Sequence, residues 1–417
     1  TLARHVFWHW NKRMNRSRAP RSTTADFAVA LDLYSSTPGQ GVDWPIPGPH
    51  PMDVHFLSDA PRVAGSEIWL LNLLPRLLDY GLRPTVHLPS RSSLNDLGQR
   101  FGQRGIRARR YHRLEGHLVQ QPQPALWVVQ AWQPSLYQAC LAHLKGVRLA
   151  IVHDQIDFFY PGLRPLYRQA FLLGKALTLR RFDGLITVSH WAAQVMRQHG
   201  YPQVQTVCNG VDPLIYQPAS HPDLRYQLRQ RWGLEGFCVV VPGRLAPEKN
   251  PLTALRVARR LPQMKFYFVG DDHSHTGQLC HRLAQRWRLN NVFFWGKMWE
   301  MPQVYQAMDA VLQPTLAENQ SLVTLEAMAS GIPVVTTQIP AQQELIEHQR
   351  HGYCLPPSSR LLAQALQQLA QDPQLAQGMA QQARQRVLQH HTLDHSAQQL
   401  AQLLLAHGQR AGLPLRP

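Results

Sequence analysis

Short apolar runs alternate with segments of helical period along most of this chain, and only its first fifty residues escape the pattern. Residues 1–50 end in Pro38-Gly39 and Pro45-Ile-Pro-Gly-Pro49, which predicts an N-terminal extension and linker ahead of the fold. From Met52 onward, Val54–Leu57 predicts a strand, Glu67–Tyr80 a helix stopped by Gly81, and Thr85–Leu88 a second strand. Further strands are predicted at Leu126–Val129, Leu149–Val152, Leu185–Val188 and Thr206–Val207, with helices at Leu166–Arg180 and Trp191–Gln198. This is the rhythm of a parallel sheet covered on both faces.

The polar passage Gln217–Asp223 reads as a linker, after which the rhythm restarts. Strands are predicted at Phe237–Val241, Phe266–Val269, Val292–Phe294, Ala310–Gln313 and Pro333–Thr336, and helices at Pro251–Arg260, Gln278–Trp287, Met301–Met308 and Ser321–Ser330. Periodic leucines over residues 360–405 predict amphipathic helices. The expected organisation is an extension over 1–50, a doubly wound α/β domain over 51–212, a second over 213–385, and a helical tail over 386–417 free to pack back on the first domain. Open parallel sheets bind ligands beyond the carboxyl ends of their strands, so the site is expected in the cleft between the two domains.

Composition narrows the class. A chain of 417 residues with 44% hydrophobic and 17% charged residues is globular and suits two cores, not a disulfide scaffold or a disordered tract. Its five cysteines are widely spaced, without a Cys-x-x-Cys pair, so a reducing cytosol is expected and a thiolate zinc site is not. No apolar run is long enough to span a bilayer, and Phe27–Leu31 is flanked by Asp26 and Asp32, against a signal peptide. The net charge of +17 favours phosphate-bearing partners. Residues 1–21 carry Arg4, Lys12, Arg13, Arg16, Arg18 and Arg21 with no acid, which suits a solvated arm or a peripheral contact with an anionic membrane at its inner face. No recognisable nucleic-acid module accompanies the charge, so no specific nucleic acid is expected.

The sharpest chemical signal is the string Pro314 to Val335, which places a strand end, a polar loop with Glu318, a helix start near Ser321, Glu326 inside that helix and Gly331 as its stop. Unpaired N–H groups at such a helix start, here those of Ser321 and Leu322, suit a diphosphate. Glu318 and Glu326 flank it, and a carboxylate suits a vicinal diol, so one acid is placed for a ribose and the other for a sugar hydroxyl. A dipole-favouring acid and a solvent-facing helix Glu are the plainer alternative. In a second motif Gly243 and Arg244 follow a strand, and Lys249 sits one short loop later before Pro251, so two cations can converge on one anion. A surface loop with Arg244 paired to Glu248 is the alternative set aside here.

These two motifs, Glu318-x7-Glu326 within Leu-Glu-Ala-Met-Ala-Ser-Gly-Ile-Pro-Val-Val and Val241-Pro-Gly-Arg-Leu-Ala-Pro-Glu-Lys-Asn250, closely resemble those of the GT-B fold retaining glycosyltransferases of family 4, also called group 1. The resemblance covers roughly residues 52–355 and implies two Rossmann-like domains facing each other across a cleft. It implies transfer of a sugar from a nucleotide diphosphate to an acceptor hydroxyl with the anomeric configuration kept, with the nucleotide sugar as donor substrate and no metal or cofactor required. It also implies a donor site of Gly243, Arg244, Lys249, Asn319, Gln320, Ser321, Leu322 and Glu326, with catalytic roles for His153, Arg244, Lys249 and Glu318.

Gly65 and Ser66 stand where the family commonly has two glycines lining the phosphate or acceptor, and His153-Asp154 matches its cleft histidine. Asn209-Gly-Val-Asp212 matches the interdomain crossover. The chain departs from the family at Asn319-Gln320-Ser321, where Gly-Phe-Gly is common, which is expected to set polar side chains beside the donor. Asn250 replaces a frequent glycine and is compatible with a left-handed turn. Asp271-Asp272 reads as a loop cap and not as a metal clamp. Acceptors implied by the family are glycans or lipid-linked sugars, in polysaccharide, glycolipid or cell-surface glycan synthesis. The competing readings are an inactive nucleotide-binding relative and a basic protein of the membrane surface.

Overall fold

The computed structural model describes residues 51–121, 124–156, 178–201 and 203–413. The expected extension over 1–50, its basic arm and nearly all of the helix expected at Leu166–Arg180 lie outside the described residues.

The first half is a seven-stranded parallel sheet of β1 (Met52–Ser58), β2 (Leu82–Pro89), β3 (Arg107–Tyr111), β4 (Ala125–Gln130), β5 (Gly146–Val152), β6 (Gly184–Thr187) and β7 (Val204–Thr206), in the order 3-2-1-4-5-6-7. Helices α1 (Gly65–Leu77) and α2 (Asn95–Gln103) cover one face; α3 (Leu114–Val119), α4 (Pro134–His143) and α5 (His190–Gln198) cover the other. Val54, Phe56, Val86 and Leu126 pack beneath the first group, and Trp127, Val129 and Ala150 beneath the second, because successive strand residues point to opposite faces. Beneath Trp127 a row of histidines is hydrogen-bonded, His55 Nδ1 to His87 Nε2 at 3.0 Å and His87 Nδ1 to His117 Nε2 at 2.7 Å.

The second half starts with α6 (Pro222–Arg231), which overlaps the expected linker Gln217–Asp223 at its first two residues and was not predicted from sequence. Leu228 is its one fully buried residue, so no apolar stripe announced it. Ion pairs hold it instead: Arg225 and Arg229 meet the two carboxylate oxygens of Asp309 at 2.6 and 3.1 Å. The sheet comprises β8 (Cys238–Pro242), β9 (Lys265–Val269), β10 (Val292–Gly296), β11 (Ala310–Gln313), β12 (Val334–Thr337) and β13 (Tyr353–Leu355), all parallel, in the order 10-9-8-11-12-13. Its helices are α7 (Pro251–Arg260), α8 (His275–Arg286), α9 (Met301–Ala307), α10 (Leu322–Ala329), α11 (Pro340–Gln343), α12 (Ser359–Gln371) and α13 (Pro373–His390). The strand order reverses between β8 and β11, which opens a crevice at their carboxyl ends.

Two strands of chain connect the halves and run side by side. Val211 N donates to His391 O at 3.0 Å, and Leu393 N donates to Val211 O at 2.9 Å. Beyond this crossing α14 (Leu393–Arg410) joins the core of the first half, with Ala397, Leu400, Ala401 and Leu404 buried beside Met52 and Leu126. Arg76 on α1 grips both passages, pairing with Asp212 at 3.0 Å and Asp394 at 3.2 Å. The change of half thus falls at His391–Thr392, since Ala383 and Val387 of α13 still pack in the second core. Among the described residues no helix is long and apolar enough to cross a membrane.

Candidate functional site

Two loops at the reversal point of the second sheet build one constellation. The loop after β8 needs glycine at its entry: Gly243 has φ 123°, and a Cβ on Gly270 after β9 would stand 2.1 Å from Gly243 O. A turn of 3-10 helix over Pro247–Lys249 then raises Lys249, and Asn250 takes the left-handed conformation (φ 51°, ψ 48°) before Pro251 opens α7. Leu316 N from the loop after β11 donates to Glu248 O at 2.7 Å, which ties the two loops together.

Lys249 and Glu318, read from sequence as separate contacts, meet directly: Nζ to Oε1 is 2.5 Å. Glu318 is buried, and its Oε1 also accepts from Gln313 Nε2 at 3.2 Å and Thr315 Oγ1 at 3.0 Å. Three donors on one oxygen fix the carboxylate, while Oε2 makes no hydrogen bond among the described residues. Ser321 caps α10, accepting from Thr324 N at 3.2 Å and from Gln313 Nε2 at 2.8 Å. Sequence reasoning missed Gln313, whose signal was a polar residue ending a wholly buried strand; its Oε1 also accepts from Thr324 and Gln342.

Glu326 lies one helical turn into α10 and accepts from Tyr305 Oη at 3.1 Å. Burial pushes its carboxyl up to about 7, against the hydroxyls of Tyr216 and Tyr305, which favour the charged form. Arg244 makes the pairing that sequence set aside: Nη2 to Glu248 Oε1 is 2.8 Å, with 43% of the Arg244 side chain exposed. A pair with its cation open to solvent is worth no more than about 1 kcal/mol, so it can be exchanged for a phosphate.

In the facing half, β5 ends at Val152 and delivers His153. His153 Nε2 is shielded from solvent and has no hydrogen-bond partner among the described residues, and the ring stands edge-on to Trp69 at 5.0 Å. Burial pushes its pKa down to about 3, so the imidazole is neutral at physiological pH.

The loop after β1 is held by Glu67, another residue missed from sequence. This buried carboxylate accepts from Gln130 Nε2 at 2.7 Å, Ser66 Oγ at 3.0 Å, Ala64 N at 3.2 Å and Trp132 Nε1 at 3.2 Å. The Ser66 hydroxyl is thereby committed to its neighbour. Gly65 has an ordinary backbone, and a Cβ there would meet nothing within 4 Å, so the fold itself makes no demand for glycine and the space in front of it is open.

The polar side chains of Asn319 and Gln320, expected beside the donor, reach across the cleft to the facing half. Asn319 Nδ2 donates to Val152 O and Asp154 O, both at 3.0 Å, and its Oδ1 accepts from Ser189 Oγ at 2.7 Å. Gln320 Oε1 accepts from Asn209 N at 2.5 Å, and Gln320 O accepts from Asn209 Nδ2 at 3.1 Å. Both residues are buried, so these hydrogen bonds act as a clasp between the halves, and a Gly-Phe-Gly sequence would lack its side-chain members.

Elsewhere along the same seam, Glu344 caps α5 from the second half, accepting from His190 N at 3.0 Å and Trp191 N at 2.9 Å. His190, Cys208 and Glu344 lie within 4.8 Å of one another, but burial and the Glu344 charge push the Cys208 thiol up to about 11, and Glu344 already serves as the cap. Asp271 acts as the expected loop cap, Oδ1 accepting from His273 N at 3.1 Å.

Both halves of the chain resemble known proteins. The family profile described as "Glycosyl transferases group 1" matches residues 227–386, and that described as "Glycosyltransferase Family 4" matches residues 63–213. A galactosyltransferase of Escherichia coli acting on a GlcNAc-diphosphoundecaprenol is 26% identical over 167 residues, 37% of this chain and 41% of the relative. A GDP-mannose-dependent α-mannosyltransferase of Mycobacterium tuberculosis is 29% identical over 182 residues, 42% of this chain and 45% of the relative. The chain thus spans less than half the length of these two relatives. Among solved structures, HepE of Anabaena in complex with UDP and glucose has a TM-score of 0.75 at 23% identity, covering 85% of this chain and all of that one. Sucrose-phosphate synthase of Thermosynechococcus elongatus has a TM-score of 0.69 at 18% identity, covering 85% and 98%.

Proposed function

Because the chain belongs to the group 1 glycosyltransferases of GT-B fold, we propose that it transfers a sugar from a nucleoside diphosphate to an acceptor hydroxyl with retention of the anomeric configuration. One observation carries this reading. Asn319 bonds the carbonyl oxygens on either side of His153, which sets that histidine against the loop bearing Glu318, and Glu318 in turn is paired to Lys249. Groups suited to sugar and to phosphate therefore share one cleft.

In this account Lys249 and Arg244 meet the diphosphate with the N–H groups of Ser321 and Leu322 at the start of α10. The free edge of the Glu318 carboxylate orients the sugar, and Glu326, held by Tyr305, takes the ribose diol. The neutral imidazole of His153 offers a hydrogen bond to the sugar from the facing half. As the bond from C1 to the diphosphate oxygen breaks, negative charge grows on the leaving group, and fixed cations and amides that meet it lower the barrier without a metal ion. The acceptor hydroxyl attacks C1 from the face the nucleotide leaves, and its proton passes to the departing phosphate oxygen, so no side-chain nucleophile is required. A relative named for a diphosphoundecaprenol-linked acceptor supports a lipid-linked acceptor, and one named for GDP-mannose supports a nucleotide-sugar donor.

The test is incubation with UDP-, GDP- and ADP-sugars, read by nucleotide release and by proton NMR of the product. Release from one donor class with the α-configuration retained in the glycoside is expected. An inverted product would contradict the mechanism, and no release from any donor would contradict the activity.

A further inference from the structure

Arg62 stands on the loop between β1 and α1, three residues before the open space at Gly65. The loop is firmly seated: Ser93 Oγ donates to Pro61 O at 2.8 Å, Ala60 N donates to Ser58 Oγ at 3.2 Å, and Glu67 holds its far end through Ala64 N. From there the guanidinium reaches the second half, where Nη1 lies 3.9 Å from Asp271 Oδ2. Asp271 belongs to the same strand-end cluster as Arg244, since Leu245 N donates to Asp271 O at 2.9 Å. Partial burial lowers the pKa of Arg62, and the nearby charge of Arg244 lowers it further, with Asp271 and Glu248 acting in the opposite direction.

Guanidiniums from opposite halves thus lie close enough to act on one another's charge. The ion pairs present do not account for the arrangement. The contact of Arg62 with Asp271 is long and about 40% exposed on each side, and Glu248 is already engaged by Arg244. Pairs of that kind add little to the stability of a fold, against the cost of shielding one cation beside another. An anion lying between them removes that cost, and a planar guanidinium suits two phosphate oxygens at once.

We infer that Arg62 is a third phosphate-binding cation of the cleft, supplied by the first half, which grips the diphosphate of the donor opposite Arg244 and Lys249. The inference rests on the donor reading above and adds a specific residue to it. Arg62 then reports closure: it engages the donor only when the halves are together, so donor binding and the clasp at Asn319 and Gln320 reinforce each other.

The experiment is calorimetric titration of the full chain with UDP and with GDP, for the wild type, Arg62→Ala and Arg62→Lys, at two or more salt concentrations. With one lost charge-assisted contact, Arg62→Ala is expected to weaken binding of the preferred diphosphate about ten- to a hundredfold, with Arg62→Lys between the two. Its melting temperature is expected to stay within about a degree of wild type, and the dependence of log Kd on log salt to become shallower. Wild-type binding with an unchanged Kd in Arg62→Ala would overturn this inference alone. If wild type binds neither diphosphate, the underlying donor reading falls with it.

Discussion

Replacing Lys249 with Ala will lower turnover by about two to three orders of magnitude, the scale found when one fixed charge-stabilising group is taken from a transition state. Lys249 is the less exposed of the two sequence-identified cations, and its ammonium is locked by Glu318 at 2.5 Å. The substitution therefore removes a charge facing the leaving group and also frees the carboxylate proposed to orient the sugar. Because Glu318 is buried, losing its cation costs stability too, so the rate must be read beside the melting temperature and at saturating donor. Arg244→Ala acts in the same direction but less strongly, since Arg244 is more exposed and the neighbouring cations remain. Full activity in folded Lys249→Ala would refute the site assignment.

Acid will begin to destabilise the protein above the pH range in which its surface carboxylates titrate. His87 is fully buried between His55 and His117, and burial, with the charges of those neighbours and Arg109, pushes its pKa down to about 2. The unfolded chain binds a proton at this residue near pH 6.5, whereas the folded chain does not, so stability is fully present above about 6.5 and is lost as the pH falls towards 2. The slope is about 1.4 kcal/mol per pH unit for this one histidine. His391, pushed down to about 4 by burial and by Arg386, steepens it in the upper part of that window. Urea denaturation at intervals from pH 7 to pH 4.5 measures the effect. His87→Asn keeps one donor and one acceptor but does not titrate; it should be less stable at pH 7 and show a slope shallower by about 1.4 kcal/mol per unit. An unchanged slope in that variant would show that His87 is not the titrating group.

The sequence revealed elements wherever burial writes a period. Helix α7 and strand β11 have the bounds that the apolar pattern predicts, because each presents apolar residues to a core at regular intervals. It concealed elements held by charge. Strand β3 reads Arg-Ala-Arg-Arg-Tyr because it lies at the sheet edge, where charged side chains are favoured, and α6 depends on Asp309 for its place. At the site, Arg244, Lys249, Glu318 and Ser321 were legible because strand-end loops and helix starts have local signatures. Glu67 and Arg62 were not, because their partners lie 63 residues away at Gln130 and across the cleft at Asp271. Asn319 and Gln320 show the same limit from the other side: their position beside the site was local information, but the direction of their side chains depends on Val152, Ser189 and Asn209 in the facing half.

The central claim is that one diphosphate is held where the second sheet reverses its order. A crystal structure of the protein with UDP or GDP, whichever binds, tests this most directly. Phosphate oxygens are predicted within hydrogen-bonding distance of Lys249 Nζ, the Arg244 guanidinium and the amides at the start of α10, with the Arg244–Glu248 pair opened. Phosphates bound elsewhere, with Lys249 and Arg244 turned away from them, would contradict the account.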